Sequence, residues 1–379
     1  MPASDRRPTV ALVSDSSGWG GAEVYLASLA AHLGARWQFV ALVGEHAAAE
    51  LVAQLVQAGA DVRTIRGLGR RPRPLAILRA IRALREIRPA VVHVSLTDQG
   101  DGLAPLAAAW CCGPTTIAML HLVIPGRAKG REWVSRRALR LPQLVIGGSA
   151  HVAAYAREAG AQSRAVMYGV DPPVQAPEPR ASLGLPPYAP VVGGIGRIDI
   201  QKGWDVLCRA MPLVRARVPD ARCVVIGDGP ALSGLRGLAA ETGVSFVGYR
   251  ERASSLVGAF DVLAVPSRYE AFGLVAAEAM MAGVPVVASA VGGIPEVVGD
   301  TGLLVRPERP DELADAIVEV LRDRSHARER GERGRVRAFR LFTAARMAGE
   351  VDDLYRELTL QAELPSTSSF RRAFGRLGG

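Results

Sequence analysis

The chain has 379 residues, of which 49% are hydrophobic and 22% charged, with a formal net charge of +9. At roughly 100–200 residues per domain this is the composition of a two-domain globular protein. The positive balance suits anionic partners, but aromatics make up only 5% and no basic run carries interleaved aromatics, which argues against a nucleic-acid surface. The first residues, Met-Pro-Ala-Ser-Asp-Arg-Arg-Pro, lack the apolar core of a signal peptide, and no run of about 18 apolar residues is free of charges and breakers.

Apolar β-type runs alternate with helical patterns. Thr9–Val13 reads as a strand and Ala22–Leu33 as a helix, then Gln38–Val43 as a strand and Ala47–Ala58 as a helix. Val91–Val94, Thr116–Leu120 and Leu144–Ile146 continue the series. Four to six apolar residues between helices predict a parallel sheet covered on both faces. Residues 170–190 hold Pro172, Pro173, Pro177, Pro179, Pro186, Pro187 and Pro190, which reads as a linker and hinge. The rhythm restarts with Val191–Ile195, Cys223–Ile226, Val244–Val247, Val262–Val265, Val286–Ala288 and Leu303–Val305, and the chain is helical from Asp311 to about Leu360. The tail from Pro365 carries no packing pattern. Two such halves place a ligand cleft at the carboxyl ends of their strands. The four cysteines form no C-x-x-C pair, which removes zinc and thioredoxin-like chemistry, and Cys111 and Cys112 read as small core residues with reduced thiols.

Three segments carry candidate chemistry. Glu270 precedes a helix that starts near Gly273 and bears Glu278 on an almost wholly apolar surface. A carboxylate on a buried helix needs a partner, either an arginine in a structural ion pair or two ribose hydroxyls. Glu270 stands ahead of the helix N-terminus, where it is a helix cap or a ligand group. The second segment, Gly193–Trp204, puts Arg197 and Lys202 in one loop after a strand. An arginine fork and a lysine point charge suit a diphosphate, and a solvated loop is the alternative. The third, Ser17–Glu23, holds Gly20 and Gly21 between the first strand and helix, where backbone can approach a phosphate. Neither Gly194-Ile195-Gly196 nor Gly227-Asp228-Gly229 completes a dinucleotide fingerprint. His121 ends a strand at the ligand-binding edge, whereas His93 lies inside one and reads as a core histidine.

In order and spacing, G-R-x4-K-G from Gly196 to Gly203 and Glu270-x7-Glu278 around Phe272-Gly273-Leu274 resemble the retaining glycosyltransferases of family 4, of GT-B fold. The resemblance extends over Gly20-Gly21-Ala22-Glu23, His121, Gly169-Val170-Asp171, Val225–Pro230 and Gly283–Ala288. It implies an α/β architecture of two Rossmann-like domains facing a cleft. An acceptor domain would span residues 1–172, the linker 173–190 and a donor domain 191–342, with a returning helix over 343–362 and a tail from 363. It also implies roles. Arg197 and Lys202 would bind the donor diphosphate and Glu278 the ribose. Glu270 and the N–H groups of Phe272, Gly273 and Leu274 would meet the sugar. Gly20, Gly21 and Gly196 would approach the diphosphate, the backbone of Tyr249 and Arg250 would frame the base, and His121 would sit at the transfer site.

The sequence contains no D-x-D pair, so the expectation is a metal-independent enzyme with no cofactor, using a UDP-sugar first and a GDP-sugar second. The expected acceptor is a hydroxyl of a small molecule, glycolipid or polysaccharide precursor, anionic or lipid-linked. Rival functions are a sugar-nucleotide epimerase and a non-catalytic carbohydrate-binding protein. A phosphorylase needs a cofactor lysine, and Lys129 and Lys202 are the only lysines. Tyr168 replaces an asparagine and Leu122 an aspartate of the family pattern. Arg63, Arg66, Arg70, Arg71, Arg73, Arg79, Arg82, Arg85 and Arg88, with Leu75, Leu78, Ile81 and Leu84, form either a basic membrane-facing helix region or a solvated arginine face. Arg127, Lys129, Arg131, Arg136 and Arg137 add charge after His121. The expected location is the cytoplasm, with peripheral contact at the inner membrane face, and nothing in the sequence favours one oligomeric state.

Overall fold

The computed structural model describes residues 7–69, 74–126, 129–172, 174 and 179–363. Seven parallel strands form the first sheet: β1 Thr9–Ser14, β2 Gln38–Gly44, β3 Asp61–Ile65, β4 Val91–Leu96, β5 Thr115–Leu120, β6 Leu144–Gly147 and β7 Ser163–Ala165. Six parallel strands form the second: β8 Val191–Ile195, β9 Arg222–Ile226, β10 Val244–Phe246, β11 Val262–Val265, β12 Val286–Ser289 and β13 Leu303–Val305. Central strands such as β11 are buried along their whole length, which is why they read as unbroken apolar runs.

The first sheet runs β3-β2-β1-β4-β5-β6-β7 and the second β10-β9-β8-β11-β12-β13. The chain therefore winds outward from β1 and returns to β4 on its other side. The second sheet does the same about β8 and β11. Such a reversal opens a crevice at the carboxyl ends of the two strands. Register puts Leu12 between Ala41 and His93 in one sheet, and Gly193 between Val224 and Leu263 in the other. Gly193 has a packing reason: a Cβ there would collide with the Phe260 ring.

One apolar cluster crosses both halves. The Tyr25 ring packs edge-on against Tyr168 at 5.8 Å, Tyr168 against Phe272 at 5.4 Å, and Phe272 against Phe342 at 5.4 Å. Helix Ala344–Glu363 lies against helix Gly21–Leu33. Its Asp352 accepts from Trp37 Nε1 at 2.6 Å and from Arg36, and Tyr355 Oη meets His93 Nδ1 at 2.7 Å. The proline-rich segment is more tethered than a free linker. Val170 N–H donates to Phe342 O, and Arg180 ties the carbonyls of Pro187 and Ala189 to Asp261. Pro173, Pro177 and the tail from Pro365 lie outside the described residues.

Several expectations need correction. β3 and β7 escaped the sequence because edge strands carry polar residues instead of an apolar run. Cys111 and Cys112 are not core residues: Cys111 is exposed and Cys112 half-buried, because the last turn of helix Leu103–Cys112 points to solvent. Cys208 and Cys223 are buried. On helix Pro74–Ile87, Leu84 packs inward but Leu75 and Leu78 are 64% and 61% exposed, with Ala76, Ala80 and Ala83 taking the core face instead. No helix among the described residues is long and apolar enough to cross a membrane.

Candidate functional site

The switch points of the two sheets face each other across a cavity of about 400 Å³. The β1, β4 and β5 ends supply Gly20, Gly21, Thr97 and His121, while the β8 and β11 ends supply Gly196, Arg197, Lys202, Glu270, Phe272, Gly273, Leu274 and Glu278. Eleven of the thirteen residues singled out in the sequence thus line one space. Tyr249 and Arg250 do not line it. They follow Gly248, whose carbonyl accepts from Gly227 N–H, and Tyr249 is exposed.

Gly21 sits where a Cβ would come 2.7 Å from Leu274 Cδ1 of the facing domain. Helix Leu274–Met281 starts at Gly273, at φ 96°, a conformation open to glycine. No side chain among the described residues caps it. Among the described residues the N–H groups of Phe272, Gly273 and Leu274 make no hydrogen bond, so three donors meet at the positive end of a helix beside the cavity.

Glu278, one turn into that helix, has no arginine partner. Burial alone raises its carboxyl to about 7. The ion-pair alternative is therefore absent among the described residues, leaving an acceptor pair that faces the cavity and lacks donors. Glu270 is not a helix cap. Its Oε2 lies 2.6 Å from Lys202 Nζ and 3.4 Å from Ser267 Oγ. Lys202 is held by its own turn, where Asp199 caps the 3-10 helix Ile200–Lys202 through Lys202 N–H. Arg197 reaches Asp199 Oδ2 at 2.6 Å but is 69% exposed, so its guanidinium retains free donors over the cavity mouth.

His121 is 6% exposed, and both ring nitrogens are occupied, Nε2 by Ser95 Oγ at 2.9 Å and Nδ1 by Tyr168 Oη. Burial, reinforced by the neighbouring His93, pushes it down to about 3, so the ring is neutral at physiological pH. His93 is a core residue, as expected, with Nε2 unpaired among the described residues. Tyr168 occupies its unusual position as a buried partner of His121. Leu122 is part of the cavity wall.

Glu23 was assigned no role in the sequence. It is 3% exposed, and burial raises its carboxyl against hydrogen bonds from Ser16 and the N–H groups of Glu23 and Gly20. Among the described residues its Oε1 has no partner. The available signal was its spacing: a Glu three residues after a helix N-cap reaches back to the cap's N–H. Arg70, Arg71, Arg73 and Arg127 lie outside the described residues, as does the Lys129 side chain. Arg136 approaches Glu132 and Glu158 at 3.7 and 3.8 Å.

Residues 19–172 match the family model Glycosyltransferase Family 4, and residues 189–323 match Glycosyl transferases group 1. A D-inositol 3-phosphate glycosyltransferase of Corynebacterium aurimucosum is 37% identical over 210 residues, which is 52% of this chain and 49% of that protein. The protein of that name from Nocardia farcinica is 44% identical over 169 residues, 41% of this chain and 38% of the relative. The matched region thus spans about half or less of these relatives' length. Among solved structures, Anabaena Alr3699/HepE in complex with UDP superposes with TM-score 0.79 at 23% identity, covering 92% of this chain and 100% of that one. Sucrose-phosphate synthase from Thermosynechococcus elongatus gives 0.79 at 26%, covering 94% and 100%. The first domain matches one of these glycosyltransferase models and the second domain the other, and the whole chain has the GT-B architecture: the chain belongs to the group 1, family 4 glycosyltransferases.

Proposed function

We propose that the chain moves a hexose-type sugar from a nucleoside-diphosphate sugar, UDP first and GDP second, to an acceptor hydroxyl with retention of configuration and without a metal. The observation that carries this is Glu278, an unpartnered, desolvated carboxylate facing the same cavity as Arg197 and Lys202. A nucleotide has what both ends lack: a ribose diol to donate to Glu278 and a diphosphate to accept from the cations. Anabaena HepE, of the same fold, is known in complexes with UDP and UDP-glucose, which puts UDP first.

In the transfer, the bond from the sugar C1 to the β-phosphate oxygen breaks and its electron pair stays on phosphate. Arg197, Lys202 and the free N–H groups at Phe272, Gly273 and Leu274 face that developing charge. The acceptor oxygen bonds to C1 on the face the phosphate leaves, and its proton passes to the departing phosphate. His121, neutral and bonded at both nitrogens, shapes the sugar pocket and moves no proton. Glu270 takes sugar hydroxyls on the oxygen that Lys202 leaves free.

The acceptor enters by a second groove of about 620 Å³ that shares Glu270 with the cavity edge and is lined by Gln99, His151, Tyr155 and Tyr269. The curated relatives are named for an inositol phosphate acceptor, so a polyhydroxylated ring or its phosphate is the first class to try. The test is release of nucleoside diphosphate from UDP- and GDP-hexoses with and without polyol acceptors. Acceptor-dependent transfer, lowered about 10²–10³-fold by Arg197→Ala or Lys202→Ala, supports the reading. Near-normal turnover in both variants, or consumption of donor alone as an epimerase gives, overturns it.

We also propose peripheral contact with anionic membrane through helix Pro74–Ile87, favoured by exposed Leu75 and Leu78 beside Arg79, Arg82, Arg85 and Arg88. Co-sedimentation with anionic liposomes at low salt should be lost at high salt and in Leu78→Glu. No binding at low salt refutes it.

A further inference from the structure

Away from the donor cavity, the two domains are joined by a carboxylate. Glu296 lies in the first turn of the short helix Ile294–Val298 of the second domain. Its oxygens accept the backbone N–H groups of Ala150 and His151 at 2.7 and 2.8 Å. These are the first two residues of helix Ala150–Glu158 in the first domain, whose Ser149 cap takes the next N–H, that of Val152. A helix leaves its first N–H groups without internal partners, and here two are satisfied from the opposite domain. The bonds are charge-assisted and set a negative group at the positive end of a helix.

The segment bearing Glu296 is fixed to the site. Gly293 N–H donates to Glu270 O at 3.2 Å, and a Cβ on Gly292, at φ 52°, would collide with that same carbonyl. Gly293 is wedged between domains, with a Cβ there only 2.8 Å from Ser149 Cβ. Behind it, Arg337 donates to the carbonyls of Glu296 and Val297 at 2.7 and 3.0 Å. The backbone that carries Glu270, the partner of Lys202, therefore rests on the turn that holds the domains together.

We propose that Glu296 is a positioning residue: a reversible clasp that keeps the cleft closed and ties that closure to the placement of Glu270. Ala150 and His151 are exposed, so water can replace the carboxylate when the domains part. The effect on rate rests on the transferase reading above, whereas the effect on shape does not.

The experiment uses the full chain with Glu296→Ala, Glu296→Gln and Ala150→Pro. The last removes one N–H from the other side of the clasp at a first-turn position where proline is well tolerated. Small-angle scattering without ligand, UDP titration and steady-state kinetics are measured together. Glu296→Ala should enlarge the radius of gyration, weaken UDP and raise KM for the donor by about tenfold, with a smaller change in kcat. Glu296→Gln and Ala150→Pro should move the same way by less, and saturating UDP should restore the compact form. Scattering and UDP affinity equal to wild type in Glu296→Gln and Ala150→Pro overturn the clasp, even if Glu296→Ala fails to fold. If no donor is turned over by wild type, the transferase reading fails, and the scattering comparison still decides the clasp.

Discussion

Lys202 Nζ lies 2.6 Å from Glu270 Oε2, an ion pair that joins the loop after β8 to the loop after β11 with both side chains largely buried. On the proposed reading, a diphosphate entering the cavity competes with Glu270 for the same ammonium, and the pair holds the lysine in place before the donor arrives.

Breaking this pair from one side leaves a desolvated charge. Lys202→Met should lower unfolding stability by about 1–3 kcal/mol, because Glu270 is left without its cation. The double variant Lys202→Met/Glu270→Gln should recover most of that loss. UDP should bind Glu270→Gln at least as tightly as wild type, and Lys202→Met much more weakly. Urea denaturation with calorimetric titration of the four proteins checks this. Additive single losses would show that the pair is not an energetic unit.

Glu278 gives a pH signature. Its folded value stands near 7 against an ordinary 4.5, so protonation favours the fold. The stability tied to this group is full below about pH 4.5 and is lost as pH rises through 7, by up to about 3 kcal/mol. Glu278→Gln should remove that slope and raise stability at pH 8. Uridine should show the opposite preference in wild type, binding more tightly as the carboxylate ionises to accept the ribose hydroxyls, with no such rise in Glu278→Gln. A wild-type stability curve parallel to that of Glu278→Gln from pH 4.5 to 8 contradicts this.

The central strands were legible because a strand buried on both faces has to be apolar, as Val262–Val265 is. That Arg197 and Lys202 line one cavity was legible because both stand in a loop at the carboxyl end of a strand, where such a sheet opens its crevice. Glu23 and Glu296 were not. Each looks like an ordinary helix-start carboxylate, and only the folded chain distinguishes them: Glu23 by a buried oxygen without a partner among the described residues, Glu296 by donors 145 and 146 residues away in sequence. The state of His121 was equally hidden, since its partners Ser95 and Tyr168 stand 26 and 47 residues away.

Tyr168 should matter through His121. Tyr168→Phe keeps the ring against Phe272 but leaves Nδ1 of a buried imidazole unpaired, which costs about 1–3 kcal/mol. Nucleotide affinity should stay close to wild type, because the hydroxyl faces His121 and not the cations. A denaturation midpoint equal to wild type would show the hydrogen bond to be dispensable.

Gly203 closes the arginine–lysine loop for a reason of space. Its φ is +67°, and a Cβ would run into the carbonyl of Pro266 at the end of β11. Gly203→Ala adds left-handed strain to a clash with backbone that has no side chain to swing aside, so a loss of at least about 2 kcal/mol is expected. Because Lys202 is the adjacent residue, UDP affinity should fall with it. Gly234 and Gly237, on helix Leu232–Thr242, have open space where a Cβ would go. Alanine there should stabilise by about 0.5–1 kcal/mol and leave UDP binding unchanged. Urea denaturation and UDP titration of the three variants side by side decide the matter. If Gly203→Ala matches the helix variants, the loop does not depend on its contact with Pro266.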